Sequence, residues 1–576
     1  MDTTSQTNAE DYRKLIAFAV LVWIVATIGA VNHSYPNIMS WQLGDNDNYM
    51  RLHQVETFLE TKSWYQKPLE DFNPQDGRIM HWSRIPDLPI AASILLLGTF
   101  LDDPKNILAT LFIIPSIYSL LFIISIGIFT YRFFNINIAL TAIFITPFVA
   151  AYAKFLPGNI DHHGLQIVIF SVFLATLPIK GKKLNRNHLV FNSIAITLSL
   201  LIGLEVLPFI VIVLITLLVS NVNDEASYDF ICVTSFSSSI LGIIGLLTLE
   251  GFSGVTSQNF DTASSSLFIL IFFCGFILYA NKKIKLLLFL VIQSIVFLTL
   301  VYLVQPDLIS SPYRNYPAIL NDYWLEKVME ARPFYVSIQE DHISLMNVFI
   351  SITTIIPIFS IIIKKVQHIK LVYISFIFSL LLVYFWQIRT ILFSSILALP
   401  LMANIAYLGF NRMRTPVVRM LPIALSLPFA TSILVYKLIS EPRLEDQVKS
   451  TVYKIETLEL INTSNIINKK IMTSVEVGAI LLALSDNSII SAPYHRNING
   501  NLLSIESFIS HDIKSTLRAL HDNRIDYIIV DKRDPHIKIL SDNSKNHSLI
   551  NLLLNNKPPN GISVITSNNN LTIYSL

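Results

Sequence analysis

Asp161, His162 and His163 stand side by side in the stretch Pro157-Gly-Asn-Ile-Asp161-His162-His163-Gly164, with one apolar run before it (137–156) and another after it (165–179). A carboxylate and two imidazoles at the mouth of two membrane helices are costly, because desolvating charge beside hydrocarbon costs several kcal/mol. Uncharged polar residues would connect two helices as well. One reading is a metal or phosphate site at the membrane face. The other is a wet interfacial turn in which Asp161 caps the helix that follows.

Two further stretches carry the same kind of chemistry. Gly44-Asp45-Asn46-Asp47-Asn48-Tyr49-Met50-Arg51 follows the first apolar run, and paired acids there can hold Mg²⁺ or Mn²⁺, which prefer carboxylate and water oxygens. Asp47 with Asp161 and His163 makes a mixed oxygen and nitrogen set, which suits Mn²⁺ somewhat better; a solvated acidic turn is the alternative. Arg389, in Trp386-Gln-Ile-Arg389-Thr390, lies between two apolar runs. Its guanidinium can clamp a lipid phosphate through paired hydrogen bonds, or snorkel to the headgroups as an anchor. No charged partner for it is evident from its own turn.

The elements that must position these residues are membrane helices. The 576 residues are 52% hydrophobic and 14% charged, with mean hydropathy +0.55, which describes a polytopic membrane protein rather than a soluble globule. A net charge of +2 identifies no partner, and no nucleic acid is expected. Cys232 and Cys274 both lie in apolar runs, so neither a disulfide framework nor zinc-finger spacing exists. Leu15–Val31 reads as an uncleaved first span. Further runs lie near 106–130, 137–156, 165–179, 189–204, 207–221, 229–248, 264–280, 285–304, 346–363, 369–388, 391–409 and 417–437, about thirteen spans in all.

Basic clusters at Arg13-Lys14, Arg132, Lys180–Arg186, Lys282–Lys285, Lys364–Lys370 and Arg412–Arg419 follow every second span, which puts the N-terminus in the cytoplasm. The loops 32–105, 157–164 and 305–345 and the tail after 438 then share the outer face. The tail alternates β-like runs (488–491, 527–530, 563–566) with a helical pattern (510–523), as a small α/β domain does. The fold class is therefore mostly α, with residues 1–438 in the membrane part and 439–576 in an extracytoplasmic α/β domain.

In order and topology these segments resemble the catalytic subunit of oligosaccharyltransferases, single-chain members of the GT-C class of polyprenyl-phosphate-dependent glycosyltransferases. Asp47-Asn48-Tyr49-Met50-Arg51 is similar to the acidic segment of that family's first outer loop. Gly158-Asn-Ile-Asp161-His162-His163-Gly164 is similar to its second motif, with His in place of Glu. Val328-Met-Glu330-Ala-Arg332-Pro333 resembles the motif of its fifth outer loop, and Arg389 to Pro400 the start of its twelfth span. The likeness covers about the first 410 residues. It departs in the tail: where the family carries Trp-Trp-Asp-Tyr-Gly to read a peptide acceptor, this chain has Ala492-Pro493-Tyr494-His495-Arg496-Asn497, and no tryptophan follows residue 438.

The resemblance implies an inverting glycosyltransferase that uses a lipid-phosphate- or lipid-pyrophosphate-linked sugar donor and a divalent metal, Mn²⁺ or Mg²⁺. It implies Asp47, Asp161 and His163 as metal ligands, Asp47 and Glu330 as catalytic groups with Glu330 positioning the acceptor, and Arg389 on the donor phosphate. Tyr49, Arg51, His162, Tyr494, His495 and Arg496 are candidates for acceptor or substrate binding. The acceptor (glycan, lipid or protein) is open. A bacterial inner membrane is the expected location, with the C-terminal domain periplasmic. The alternative is a transporter or flippase for a lipid-linked or anionic substrate, with Asp161, His162, Glu205 and Arg389 along its path.

Overall fold

The computed structural model describes residues 4–65, 67–73, 78–221, 224–257, 261–280, 316–340, 344–363, 370–439 and 452–576; between 281 and 315 it describes only positions 288, 295, 298, 299 and 302. The expected span over 285–304 and the basic residues Lys282, Lys283, Lys285, Lys364 and Lys365 lie outside the described residues.

The chain is mostly helical. Its membrane part begins with α1 (Thr4–Met39), then α2 (Asn46–Thr61), the short strands β1 (Pro68–Leu69) and β2 (Arg78–Ile79) and α3 (Asp87–Leu97) in the long loop that follows it, and α4 (Lys105–Phe133) and α5 (Ile136–Ile145). It continues through α6 (His162–Ala175), α7 (Arg186–Ile202), α8 (Leu207–Ser220), α9 (Glu225–Thr256) and α10 (Ser265–Ala280). Local chemistry sets the ends. Asn135 caps α5 by accepting from the Ile138 amide (3.1 Å), and Pro147 turns the rest of that apolar run into 3-10 turns as far as Phe155. Gly203 ends α7, and Asp224 caps α9. α4 packs against α1, α5 and α6, α6 against α7, and α7 against α9; the helix Ile391–Arg412 closes the bundle against α5.

Among the described residues, four stretches, Ala9–Met39, Lys105–Phe133, Glu225–Thr256 and Ile388–Arg412, are long and apolar enough to cross a membrane, and the pair Val418–Leu425 and Pro428–Leu438, bent by 90°, would make a fifth. The remaining apolar helices described are shorter. At a rise of about 1.5 Å per residue, the 14 residues of α6 reach about 21 Å against a hydrocarbon core of about 30 Å. Several runs that read as full spans in the sequence therefore form helices shorter than that core.

The C-terminal region is an α/β domain, as its alternation indicates. Its sheet runs β4 (Ser488–Ile489), β3 (Lys470–Met472), β5 (Tyr527–Asp531), β7 (Leu571–Ser575), β6 (Ser563–Ser567), with β4, β3 and β5 parallel and β7 antiparallel to both its neighbours. The β4 edge is not left open. The Asn73 amide donates to the Ile489 carbonyl (2.7 Å) and the Ile489 amide to the Asp71 carbonyl (2.8 Å), so the first outer loop extends the sheet. The segment after residue 315 also packs into this domain. Leu320 and Trp324 are buried in one core with Met472, Ile490, Phe508 and Ile528.

Candidate functional site

Asp45 caps α2, accepting from the Asn48 amide (3.2 Å), which places Asp47 in the first turn. The Asn48 side-chain oxygen in turn accepts from the amides of Ile160 (2.7 Å) and Asp161 (2.9 Å). One buried asparagine thus fastens the first outer loop to the turn that carries Asp161. That turn reverses through Gly158 at φ +91°, a left-handed conformation that suits glycine.

Asp161 caps α6 and also carries an ion pair. One oxygen caps α6 by accepting from the His163 amide (2.8 Å), and the other receives the Lys154 ammonium at 3.1 Å. Lys154 also reaches Asp45 at 3.0 Å, so one ammonium serves several carboxylates. Burial, then the charges of Asp45 and Asp161, push the Asp47 carboxyl well above the usual carboxylate range, with Lys154 opposing them.

Glu205 is the next link. It sits in the 3-10 turn Leu204–Val206 directly after Gly203, with Oε2 3.6 Å from His163 Nδ1 and Oε1 3.2 Å from Arg389 Nη1. Arg389, for which the sequence offers no partner, is therefore paired; its Nε also donates to Gln387 Oε1 (2.7 Å). The turn that carries Arg389 is tied to the loop of Glu330, because the Ile388 amide donates to the Arg332 carbonyl (2.8 Å). The ligand-capable atoms of His162, His163 and Glu205 lie within 4.8 Å of one another.

These groups border one cleft of about 1690 Å³ between the membrane part and the C-terminal domain. Asp47, His162, His163, Glu330 and Arg389 line it, and Tyr494, His495 and Arg496 form part of its far wall. Asp161 lies just behind the wall, 2% exposed.

Two expected binding residues face elsewhere. Arg51 is buried, with Nη1 2.6 Å from Asp87 Oδ1 and 3.2 Å from the Ser83 carbonyl, and Asp87 also takes Arg84 (3.0 Å) and Gln54 (2.7 Å). The Tyr49 hydroxyl donates to the Trp41 carbonyl (2.7 Å) and accepts from the Leu43 amide (3.0 Å). Both side chains are buried in the loop's own core while Asp47 lines the cleft. Their contribution is to fold the loop, Arg51 lying under the Trp82 ring at 4.7 Å.

Lys154, Glu205, His81 and Asp261 complete the cleft; the sequence reading names Glu205 only on the transporter path and gives the other three no place in the site. A lysine inside the apolar run 137–156 was the one available signal, since a charge at such a position needs a reason. At the far wall, the Tyr494 hydroxyl meets His81 Nδ1 (2.6 Å) and accepts from the His81 amide (3.0 Å). His495 and Arg496 both bond Asp261 there; they hold its carboxyl far below its usual range against the opposing effect of burial.

The fold is similar to that of an oligosaccharyltransferase from the archaeon Archaeoglobus fulgidus. Its apo form matches with a TM-score of 0.65 over 89% of this chain and 69% of that chain, at 14% identity. The AglB structure in complex with an inhibitory peptide and a dolichol-phosphate matches at 0.63 over the same shares and at the same identity. A complex with Zn and sulfate matches at 0.55 over 88% and 68%, at 13% identity. No protein-family model matches the chain, and no curated protein matches it by sequence.

Proposed function

From an oligosaccharyltransferase-like GT-C fold as premise, we propose that this protein is a membrane glycosyltransferase. It moves a sugar or glycan from a polyprenyl-phosphate or pyrophosphate lipid to an acceptor outside the cytoplasm, with inversion. About thirteen spans, a cytoplasmic N-terminus and a periplasmic C-terminal domain in a bacterial inner membrane belong to this proposal. The observation that carries it is the meeting of Asp47, His163, Glu205, Glu330 and Arg389 on one cleft, drawn from five separate segments.

The residues fit a divalent cation. His163 Nδ1 and His162 Nδ1 are buried without a hydrogen-bond partner, and three carboxylates, Asp45, Asp47 and Asp161, crowd one ammonium. Asp47, Asp161 and His163 would hold the ion, and Glu205 stands within reach of His163. A bound Mn²⁺ or Mg²⁺ supplies Lewis-acid stabilisation of charge at the reacting phosphate or acceptor. One relative is known in complex with Zn and sulfate, and another with a dolichol-phosphate, which supports a metal and a lipid phosphate as ligands of this cleft.

The chain's own groups then divide the work. Arg389, aimed by Glu205 and Gln387, pairs with the donor phosphate and stabilises it as the leaving group. Glu330, which lines the cleft on a loop that the C-terminal domain anchors, orients the acceptor and accepts its proton. The test is mass spectrometry of lipid-linked sugars in cells with and without the protein, together with transfer by the purified enzyme. A polyprenyl-linked sugar accumulating in its absence is the expected result. An unchanged lipid pool and no transfer in vitro would refute the assignment.

A further inference from the structure

Three residues far apart in the chain meet where the C-terminal domain closes on the first outer loop. His495 Nε2 lies 2.8 Å from Asp261 Oδ2, and His81 Nε2 lies 3.9 Å from the same oxygen. The two imidazoles stand edge to face with centroids 4.9 Å apart, and the ligand-capable atoms of all three residues fall within 4.8 Å of one another. We propose that His81, Asp261 and His495 bind a transition metal of the zinc class, at a site separate from Asp47, Asp161 and His163.

Two imidazoles and one carboxylate are a donor set of zinc sites that keep a position open. With bonds of about 2.0–2.1 Å, the ligand atoms of a tetrahedral site stand about 3.3 Å apart. The separations of 2.8 and 3.9 Å from Asp261 Oδ2 bracket that figure, and the third pair lies within 4.8 Å, so modest ring movements bring the set to it.

The surroundings are those of a built site. Metal-bound histidines usually have their second ring nitrogen fixed by another group, and here the Tyr494 hydroxyl meets His81 Nδ1 at 2.6 Å. With Nε2 on a metal, the neutral ring carries its hydrogen on Nδ1 and donates it to the phenol oxygen. Tyr494 is itself 2% exposed. Arg496 brackets Asp261, Nε to Oδ2 at 2.8 Å and Nη2 to Oδ1, which fixes the plane of the carboxylate. All three ligands line the cleft, so the remaining coordination position faces the space that an acceptor enters.

The site would also fasten three pieces together: the first outer loop through His81, the segment before α10 through Asp261, and the C-terminal domain through His495. Metal binding therefore raises the resistance of the whole protein to unfolding.

The test uses full-length protein in detergent, stripped with a chelator and dialysed against Zn²⁺ alone, with bound metal counted by mass spectrometry. Wild type should hold one equivalent more than His495→Asn and one more than His81→Gln, while Asp161→Asn keeps that equivalent. Zn²⁺ should raise the Tm of wild type by several degrees more than that of His495→Asn, and should still raise that of Asp161→Asn. The His495 side chain is 23% exposed, so its variant carries the test if His81→Gln does not fold. Equal zinc content and equal Tm shifts in wild type and His495→Asn would overturn the proposal. None of these readings uses glycosyl transfer, so a different function for the cleft would leave them unchanged.

Discussion

Lys154 and Asp161 form an ion pair at 3.1 Å in which the carboxylate is almost wholly buried and the same ammonium also reaches Asp45. A buried carboxylate needs a cation, and two candidates exist: this lysine and a divalent metal. The two must repel each other.

It follows that Lys154→Met should lower Tm in a chelator, because breaking a buried pair costs about 3–5 kcal/mol. The same variant should gain more stability from Mn²⁺ than wild type does, since the competing charge is gone. Differential scanning fluorimetry with and without Mn²⁺ reads both effects. An equal Mn²⁺ shift in the two proteins would separate Lys154 from the metal site.

Asp161→Asn tests the ligand itself. Asparagine is as good a helix cap as aspartate, so α6 should remain in place. Only the charge is lost. Transfer should fall at least about a hundredfold, or about 2.7 kcal/mol in the barrier. Full activity in Asp161→Asn, or wild-type activity that survives a chelator, would remove the catalytic metal.

Arg389 and Glu205 should behave as a unit. Arg389→Lys loses the planar fork that pairs two phosphate oxygens, which costs about 1–3 kcal/mol, or roughly tenfold or more in donor KM. Glu205→Gln should move donor KM in the same direction by releasing the guanidinium. The double variant should cost less than the sum of the two. If Arg389→Lys has unchanged kinetics, the residue is a headgroup anchor.

The C-terminal domain carries a pH-sensitive pair. Burial pushes the Asp534 carboxyl up to about 7, aided by Glu476 and opposed by the Ser474 hydroxyl, and burial pushes His536 down to about 4. A raised carboxyl stabilises the fold below its unfolded pKa of about 3.9, and that contribution is lost as pH rises through 7. The depressed histidine acts oppositely, stabilising above about 6.5 and losing this as pH falls through 4. Between pH 4 and 6.5 the two slopes oppose each other. Asp534→Asn should leave only the histidine, so stability should rise with pH over that window by something on the order of 1–3 kcal/mol. Thermal unfolding across the range checks this, and a variant as flat as wild type would contradict it.

What the sequence revealed depended on how local each signal was. The strands at 488, 527 and 563 and the helix within 510–523 follow from alternation and periodicity, and each appears within a few residues. Strand β3 is only three residues long and β7 follows β6 closely, so both lack the pattern that marks a strand. Asp47, His163 and Arg389 stand out because polar chemistry follows or interrupts apolar runs, and Glu330 only because its segment resembles a family motif. Glu205 enters the sequence reading only on the transporter path and Asp261 not at all, because their partners are tertiary: His495 lies 234 residues from Asp261. Tyr49 and Arg51 show the opposite error, where a motif's wording suggested contact with substrate and the loop's own polar groups hold both side chains.

Trp324 lies in the core of the C-terminal domain, and Glu330 follows it by only six residues. Six residues of chain reach at most about 20–22 Å, so the carboxylate is on a short leash moored to that domain. Its other end is hitched to the Arg389 turn through the Arg332 carbonyl. A protein cut after residue 438 would lose the mooring and let Glu330 drift from the cleft with every membrane helix intact. The domain produced by itself from residue 452 would in turn show a vacant apolar socket where Leu320 and Trp324 belong, and such a socket invites self-association.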